Sequence, residues 1–498
     1  RAQQCDIIGS VKMIPTHRPG GRLSRRRFLA AFAGVAGLGL TSCRSSTPGP
    51  RPNLTVLVRE QPLLAVQNLL VQQVSRAARE QDSNVNVQTA TESSVREKLS
   101  GAAAANQLPD LAVVGDFDFS SLAARGLLFD VRSSLDQISG LNGELFTPLR
   151  SLAAAGPFED LSANEPVPAW AVPLVSRGPG WLIRRDAFAA KAVPIPKTFD
   201  DARQAASHLR DPASGKFGWG TPLPMDDATE TFARIVLSAY GVAPFDPLGF
   251  HVELDPVAVE AGLTALAALY RDPQGTQLAP AGVVDWTADQ AITGFLSGQS
   301  TQIFDPGGLY GQLVARDPSF RETTLVLPPP AGPKSWLTAA TVDLVIVCKS
   351  GQAPNRAAAI LESWLRPSAF ADLARAGAGG VVPAYSYVTK DPFWDEDPNY
   401  ASLALNARGD PSRALVYAGT GFPGLPTLVT CDVEEALPFA DAVRAVARGD
   451  RTPRDAAVLL NDRCQKLAQR ALSIQSPSRR SAPAGLDFLR SLISSDGG

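Results

Sequence analysis

"PDLAVVGD", residues 109–116, is the stretch on which the reading of this chain turns. It is an apolar run rich in valine, opened by a proline and closed by Gly115 and Asp116, and it reads as a strand. Upstream, "LTVLVR" (54–59) reads as a buried strand and "NVNVQTA" (84–90) alternates like one. Helical patterns run from about Pro62 to Arg79 and over "SVREKLSGAAAANQ" (94–107). Strands alternating with helices of about 10 to 15 residues predict an α/β fold built on a parallel sheet. Ligands of such sheets sit outside the carboxyl ends of the strands, which makes Asp116 a site candidate. An N-cap for a helix beginning near Phe119 explains the same aspartate equally well.

Further along, "TFDDARQAASHL" (198–209) opens with a capping box, Thr198 at the N-cap and Asp201 at N3. "TPRDAAVLLNDRCQKLAQRAL" (452–472) repeats the device with Pro453 at N1. These signals are structural and carry no chemistry. "SPSRRSAPAG" (476–485) reads as a linker to a short amphipathic tail.

The chain's other end holds an address. "LSRRRFLAAFAGVAGLGLTSC" (23–43) joins three arginines to a thirteen-residue apolar run, Phe28–Leu40. That run is too short for a bilayer core, which needs about 20 apolar residues as a helix. Ser24, Arg25, Arg26, Phe28 and Leu29 resemble the S-R-R-x-F-L pattern of a twin-arginine export signal. Leu40-Thr41-Ser42-Cys43 resembles a lipobox, which implies lipidation of Cys43 and anchoring on the outer face of the cell membrane, in the periplasm or at the cell surface. "RSSTPGPRPN" (44–53) reads as an extended tether beyond it, and residues 1–12, ahead of Met13, carry no fold argument.

Composition narrows the function classes. Residues 1–43 hold seven of the 47 Lys and Arg and one of the 49 Asp and Glu, so the remainder has 40 and 48 and a charge near −8. Nucleic-acid binding needs basic patches, so it is not expected. About 455 residues exceed a single core, which stops growing near 250 to 300, and two lobes are the minimum. Cys348, Cys431 and Cys464 show no C-x-x-C spacing and allow at most one disulfide. His208 and His251 are the histidines outside the leader, and no H-E-x-x-H or G-x-S-x-G occurs, so neither a metal site nor a catalytic residue is assigned. "GTGFPG" (419–424) satisfies G-x-G-x-x-G, but Pro423 and Pro426 forbid the helix a dinucleotide site requires.

The order of motifs is specific. "PDLAVVGD" followed by "SLAARGLLFDV" (121–131), then "PAWAVPLVSRGPGWLIRRDAF" (168–188), "IPKTFDDA" (195–202), "FLSGQSTQIFDPGGLYGQL" (295–313), "LVLPPPAGP" (325–333), "SGQAPNRAAAILESWL" (350–365), "AGAGGVVPAYSYV" (376–388) and "ARGDRTPRDAA" (447–457) resemble the maltose-binding-like extracellular solute-binding proteins of bacterial ABC importers. The resemblance implies a two-lobe periplasmic binding protein fold, type II-like, with discontinuous lobes joined by crossings near Val172–Ser176, Gln302–Asp305 and Ala340–Leu344. It implies a leader over 1–43, a tether over 44–53, a first lobe from 54–172 and 306–340, a second from 176–302 and 344–475, and a tail over 476–498. A small solute, a sugar or oligosaccharide, would bind between the lobes, close them about the hinges and be passed by a monomer to the importer's permease, with no cofactor.

Sugar sites pair flat apolar surfaces with hydrogen-bonding groups. By position the resemblance points to Asp116 and Phe117 from the first lobe and to Trp170, Arg177 and Trp181 around the first crossing. Asp305, Gly307, Gly308 and Tyr310 follow the second crossing, with Trp336 near the third and Tyr385 in a cleft loop. Arg177 and Arg184 stand where relatives carry acids or amides, so either an anionic solute or a plain salt bridge would suit them. Two other readings stay open: a ligand-free lipoprotein of the same fold serving as sensor or assembly partner, and a secreted glycoside hydrolase using two carboxylates.

Overall fold

The computed structural model describes residues 51–154, 167–409, 415–422, 424 and 426–474. The export signal, Cys43, nearly all of the tether and the 476–498 tail lie outside these residues. Ten strands occur among the described residues: β1 (Asn53–Arg59), β2 (Asn84–Ala90), β3 (Leu111–Gly115), β4 (Val172–Arg177), β5 (Gly180–Arg184), β6 (Gln302–Asp305), β7 (Thr324–Leu327), β8 (Leu337–Val347), β9 (Val382–Pro383) and β10 (Leu415–Ala418). They form two sheets, one ordered β2-β1-β3-β8-β4-β9 with β10 on β8, the other β6-β5-β7.

The larger sheet is parallel where "LTVLVR", "NVNVQTA" and "LAVVG" adjoin, Val56 pairing with both Val87 and Leu111. It is not parallel throughout, because β8 runs against both β3 and β4. β8 arrives from the smaller sheet's side and enters at the edge where β1, β3 and β4 leave, so it must run opposite to them. Its first half pairs with β10 up to Ala340 and its second with β4 from Thr341. Val113, Val114 and the run Leu344–Val347 are fully buried, as expected of strands covered on both faces. Helices Leu64–Glu80, Pro354–Trp364 and Pro367–Ala376 pack together over this sheet. Helices Asp227–Ala239, Pro256–Tyr270, Pro438–Arg448 and Pro453–Ile474 form the second lobe's core with Trp181, Ile183 and Phe304 of the small sheet.

These pairings differ from the segment boundaries the resemblance implied. β7, within 306–340, joins the small sheet beside β5, and the helices of 354–376 return to the first lobe. The reason is β8, which carries the chain back into the larger sheet from Thr341 onward. The chain leaves that sheet between Arg177 and Gly180, whereas β6 lies wholly in the small one.

Local signals map directly. The Thr198 capping box forms both bonds, Asp201 N–H to Thr198 Oγ1 at 3.1 Å and Thr198 N–H to Asp201 Oδ2 at 3.0 Å. Thr452 accepts from Asp455 N–H at 3.1 Å ahead of Pro453. The helix after β3 starts at Asp116 itself, with Gly115 as N-cap, three residues earlier than expected. No helix opens at Gly421; the next begins at Leu428.

Candidate ligand-binding cleft

The strand ends of the larger sheet carry charge. Arg59 closes β1, Arg177 closes β4, and Asp343 lies between them on β8, opposite Gly115 and Val175. Arg177 Nη2 donates to Asp343 Oδ2 at 2.5 Å and also bonds Gln61. Arg59 reaches Glu92 at 3.3 Å and Asp343 at 3.9 Å. It lies across the end of β3, where a Cβ on Gly115 would stand 2.3 Å from its Nη1 and push the guanidinium aside. Burial alone would raise Asp343, but Arg177 and Arg59 outweigh it and hold the carboxyl below the usual range.

From the second lobe, the Asp227–Ala239 helix packs against β8 of this sheet, while its Phe232 ring lies 4.4 Å from Phe304 of β6 in the smaller one. Arg96, on helix Glu92–Ala104, donates to Asp118 at 3.1 Å and across the lobes to Asp227 at 2.6 Å. Arg234 donates to Glu434 at 3.0 Å and lies over the Phe117 ring at 5.1 Å from its centroid. Burial lifts Glu92 well above the ordinary carboxylate range, Arg59 opposing and Asp227 adding to the rise. For Asp227 burial is outweighed by the neighbouring Glu92 and by Arg96, so its carboxyl sits below the usual range. Asp116 is pushed up to about 6 by burial against the pull of Arg234.

The sequence-derived candidates therefore separate. Asp116, Phe117 and Arg177 stand at this junction. Gly307 and Gly308, at φ +124° and +108°, turn the chain beside Arg177, and a Cβ on Gly307 would fall 2.4 Å from Arg177 Cβ. Asp305 is fully buried and accepts from the N–H groups of Gly307, Leu309 and Tyr310 at 2.7, 3.0 and 3.0 Å, which makes it a helix cap. Tyr310 donates to Asp397 at 2.5 Å inside the core. Trp181 packs edge-on against Trp219 at 6.5 Å, and Tyr385 lies buried 5.1 Å from Phe370. Trp170 precedes β4 at the end of the sheet opposite Arg177, roughly 20 Å away at about 3.3 Å per residue. Trp336 is half-buried and donates to the Pro329 carbonyl at 2.8 Å. Arg184 pairs locally with Asp186 at 2.9 and 2.6 Å, away from the cleft.

Sequence reasoning missed Arg59, Glu92, Arg96, Asp227, Arg234, Asp343 and Glu434. Arg59 was within reach, since it ends "LTVLVR" as Asp116 follows "LAVVG". Arg96 and Asp227 were not, lying 131 residues apart. Beside the cluster a cavity of about 30 Å³, lined by Arg96, Phe117, Asp118, Arg125, Thr420 and Cys431, has room for a water or two. Among the described residues no group of three or more His, Cys, Asp or Glu could hold a metal ion, and no helix is long and apolar enough to cross a membrane.

Comparison with known proteins agrees with this architecture. A solute-binding protein of an ABC transporter from Thermotoga lettingae, solved with α-D-tagatose, superposes with a TM-score of 0.65 at 15% identity, covering 84% of this chain and 100% of that one. The GacH receptor of Streptomyces glaucescens, solved unliganded and with acarbose, gives 0.66 at 15% identity over 84% and 99%. A sugar transporter from Arthrobacter chlorophenolicus with bound laminaribiose gives 0.64 at 15% identity over 85% and 100%. At such identities the likeness is one of fold. No curated protein matches the chain in sequence. The family model described as bacterial extracellular solute-binding protein matches residues 72–402, more than half of the chain, and the chain belongs to that family.

Proposed function

We propose that the protein captures a sugar or oligosaccharide between its two lobes and hands it to the permease of an ABC importer. The observation that carries this reading is the meeting of Arg96, on a helix of one lobe, with Asp227 of the other, beside Glu92 and the strand-end Arg59. Polar groups brought together from both lobes suit a solute rich in hydroxyls, and a solute that contacts both lobes favours closure. The carbohydrate-bound structures of the same fold support the solute class. Export by the twin-arginine route, anchoring through lipidated Cys43 and action as a monomer belong to the same reading, supported by the motifs of residues 24–43 and the extracellular family. Release of a Cys43→Ala variant from membranes is the expected result.

The solute is tested by thermal shift of the full chain against neutral mono- and oligosaccharides, polyols and acidic sugars. A ligand at about 100 times its Kd adds roughly 2.7 kcal/mol, visible as a raised Tm. A second reading, a ligand-free lipoprotein that keeps the fold, is favoured by the cleft's own ion pairs and the cavity of about 30 Å³ beside them, against about 300–1,000 Å³ for ordinary ligand pockets. Absence of any shift across the panel supports it.

A further inference from the structure

Two arginines at the lobe junction share one design. Arg96 is anchored in its own lobe by Asp118 at 3.1 Å and reaches across to Asp227 at 2.6 Å. Arg234 is anchored in the other lobe by Glu434 at 3.0 Å and reaches back over the face of Phe117 at 5.1 Å. A guanidinium can do this because its donors are fixed in a fork and its plane stacks on rings, whereas an ammonium is a point charge. The side chains of Arg96 and Asp227 are 22% and 11% exposed, so salt and water only partly screen the contact.

Opening would cost each arginine one arm and leave it neutralised by the other. Asp227, too, would keep a favourable place, in the first turn of its helix, where the dipole favours an anion. No ion is left buried and unpaired, the situation that makes breaking a buried pair so costly. The contacts are thus suited to repeated making and breaking.

We propose that Arg96 and Arg234 are reciprocal clasps that bias the lobes toward closure before solute enters. Solute binding then adds to a closure the protein's own side chains favour, and losing a clasp weakens solute affinity through the closed-state population. The proposal rests on the two-lobe architecture and on no particular solute, so it can fail while the sugar reading stands, and the reverse.

The test is the inter-lobe distance distribution of the full chain without solute, read by double electron–electron resonance. Spin labels are placed at Leu141→Cys and Val257→Cys, both exposed and on different lobes, with Cys5 and Cys43 changed to serine. Arg96→Met should lower the closed-to-open ratio about 10- to 100-fold, the range for losing a hydrogen bond between charged groups. Asp227→Asn should shift it the same way, which guards against a folding defect in one variant. Raising NaCl from about 0.05 to 1 M should shift the parent protein toward open by less than Arg96→Met does and leave Arg96→Met itself unmoved. Arg184→Met, whose ion pair stays within one lobe, should leave the distribution unmoved. Distributions for Arg96→Met and Asp227→Asn that match the parent's, or an equal opening by Arg184→Met, would overturn the proposal.

Discussion

Arg177→Met is the perturbation that best tests how the strand ends are held. Asp343 is fully buried on β8, its Oδ2 2.5 Å from Arg177 and its Oδ1 3.9 Å from Arg59. Removing Arg177 leaves the carboxylate with the more distant arginine and takes the donor from Gln61. Breaking a buried pair by deleting one partner costs about 3–5 kcal/mol, mostly because a charge is left uncompensated. Arg59 retains part of the compensation, so about 3 kcal/mol is expected. The double variant Arg177→Met/Asp343→Leu removes the stranded charge, and Arg59 still has the Glu92 carboxyl at 3.3 Å and the nearby charge of Asp227. Apolar replacement of a whole buried pair is often neutral, so the double variant should lie within about 1 kcal/mol of the parent. The assay is urea unfolding followed by tryptophan fluorescence for the four corners of the cycle. A single-variant loss under about 1 kcal/mol, or a double variant no better than the single, would refute the reasoning.

Other expectations follow from the same contacts. Asp305→Ala strips the acceptor from three backbone N–H groups at the start of the Leu309–Arg316 helix and should cost about 2 kcal/mol by chemical unfolding, with Asp305→Asn recovering part of it. Gly307→Ala forces a side chain onto φ +124° and against Arg177 and should destabilise by at least about 2 kcal/mol; a loss under 0.5 kcal/mol would mean the turn relaxes freely. Burial pushes Glu230 up to about 8, although Ala440 N–H donates to it at 2.6 Å. A folded pKa above the unfolded one means its stabilisation is complete in acid and fades as pH climbs towards 8, so Glu230→Gln should gain on the parent from pH 5 to 8; a pH-independent difference would argue that the carboxylate stays ionised. Cys348, Cys431 and Cys464 are free, buried and raised by burial, so none should react with a thiol reagent at pH 8 until the chain unfolds.

Much of the scaffold was legible in the chain itself, because the signals involved are local. The valine run before Gly115, the alternation of "NVNVQTA" and the Thr198 box each act within a few residues, and each formed the element expected. The order of motifs along the chain is that of the solute-binding family to which it belongs. Aromatic candidates fared differently: Trp181, Tyr310 and Tyr385 are core residues, since a strand-end position does not say which face a ring takes. Asp305 was recognisable as strand-terminal but acts as a cap, because the Gly307–Gly308 turn folds three N–H groups back on it.

The charged junction was decided by tertiary structure alone. Arg177 meets Asp343 across 166 residues, Arg96 meets Asp227 across 131 and Arg234 meets Glu434 across 200. Each arginine, seen in the sequence, is as readily a solvated surface charge. Which of them becomes a buried partner depends on where β8 re-enters the larger sheet and on how the Asp227–Ala239 helix is aimed at its edge, and no local pattern encodes either. Strand and helix are short-range consequences of backbone and side-chain geometry, whereas an ion pair between lobes exists only once two separately packed cores have been brought together.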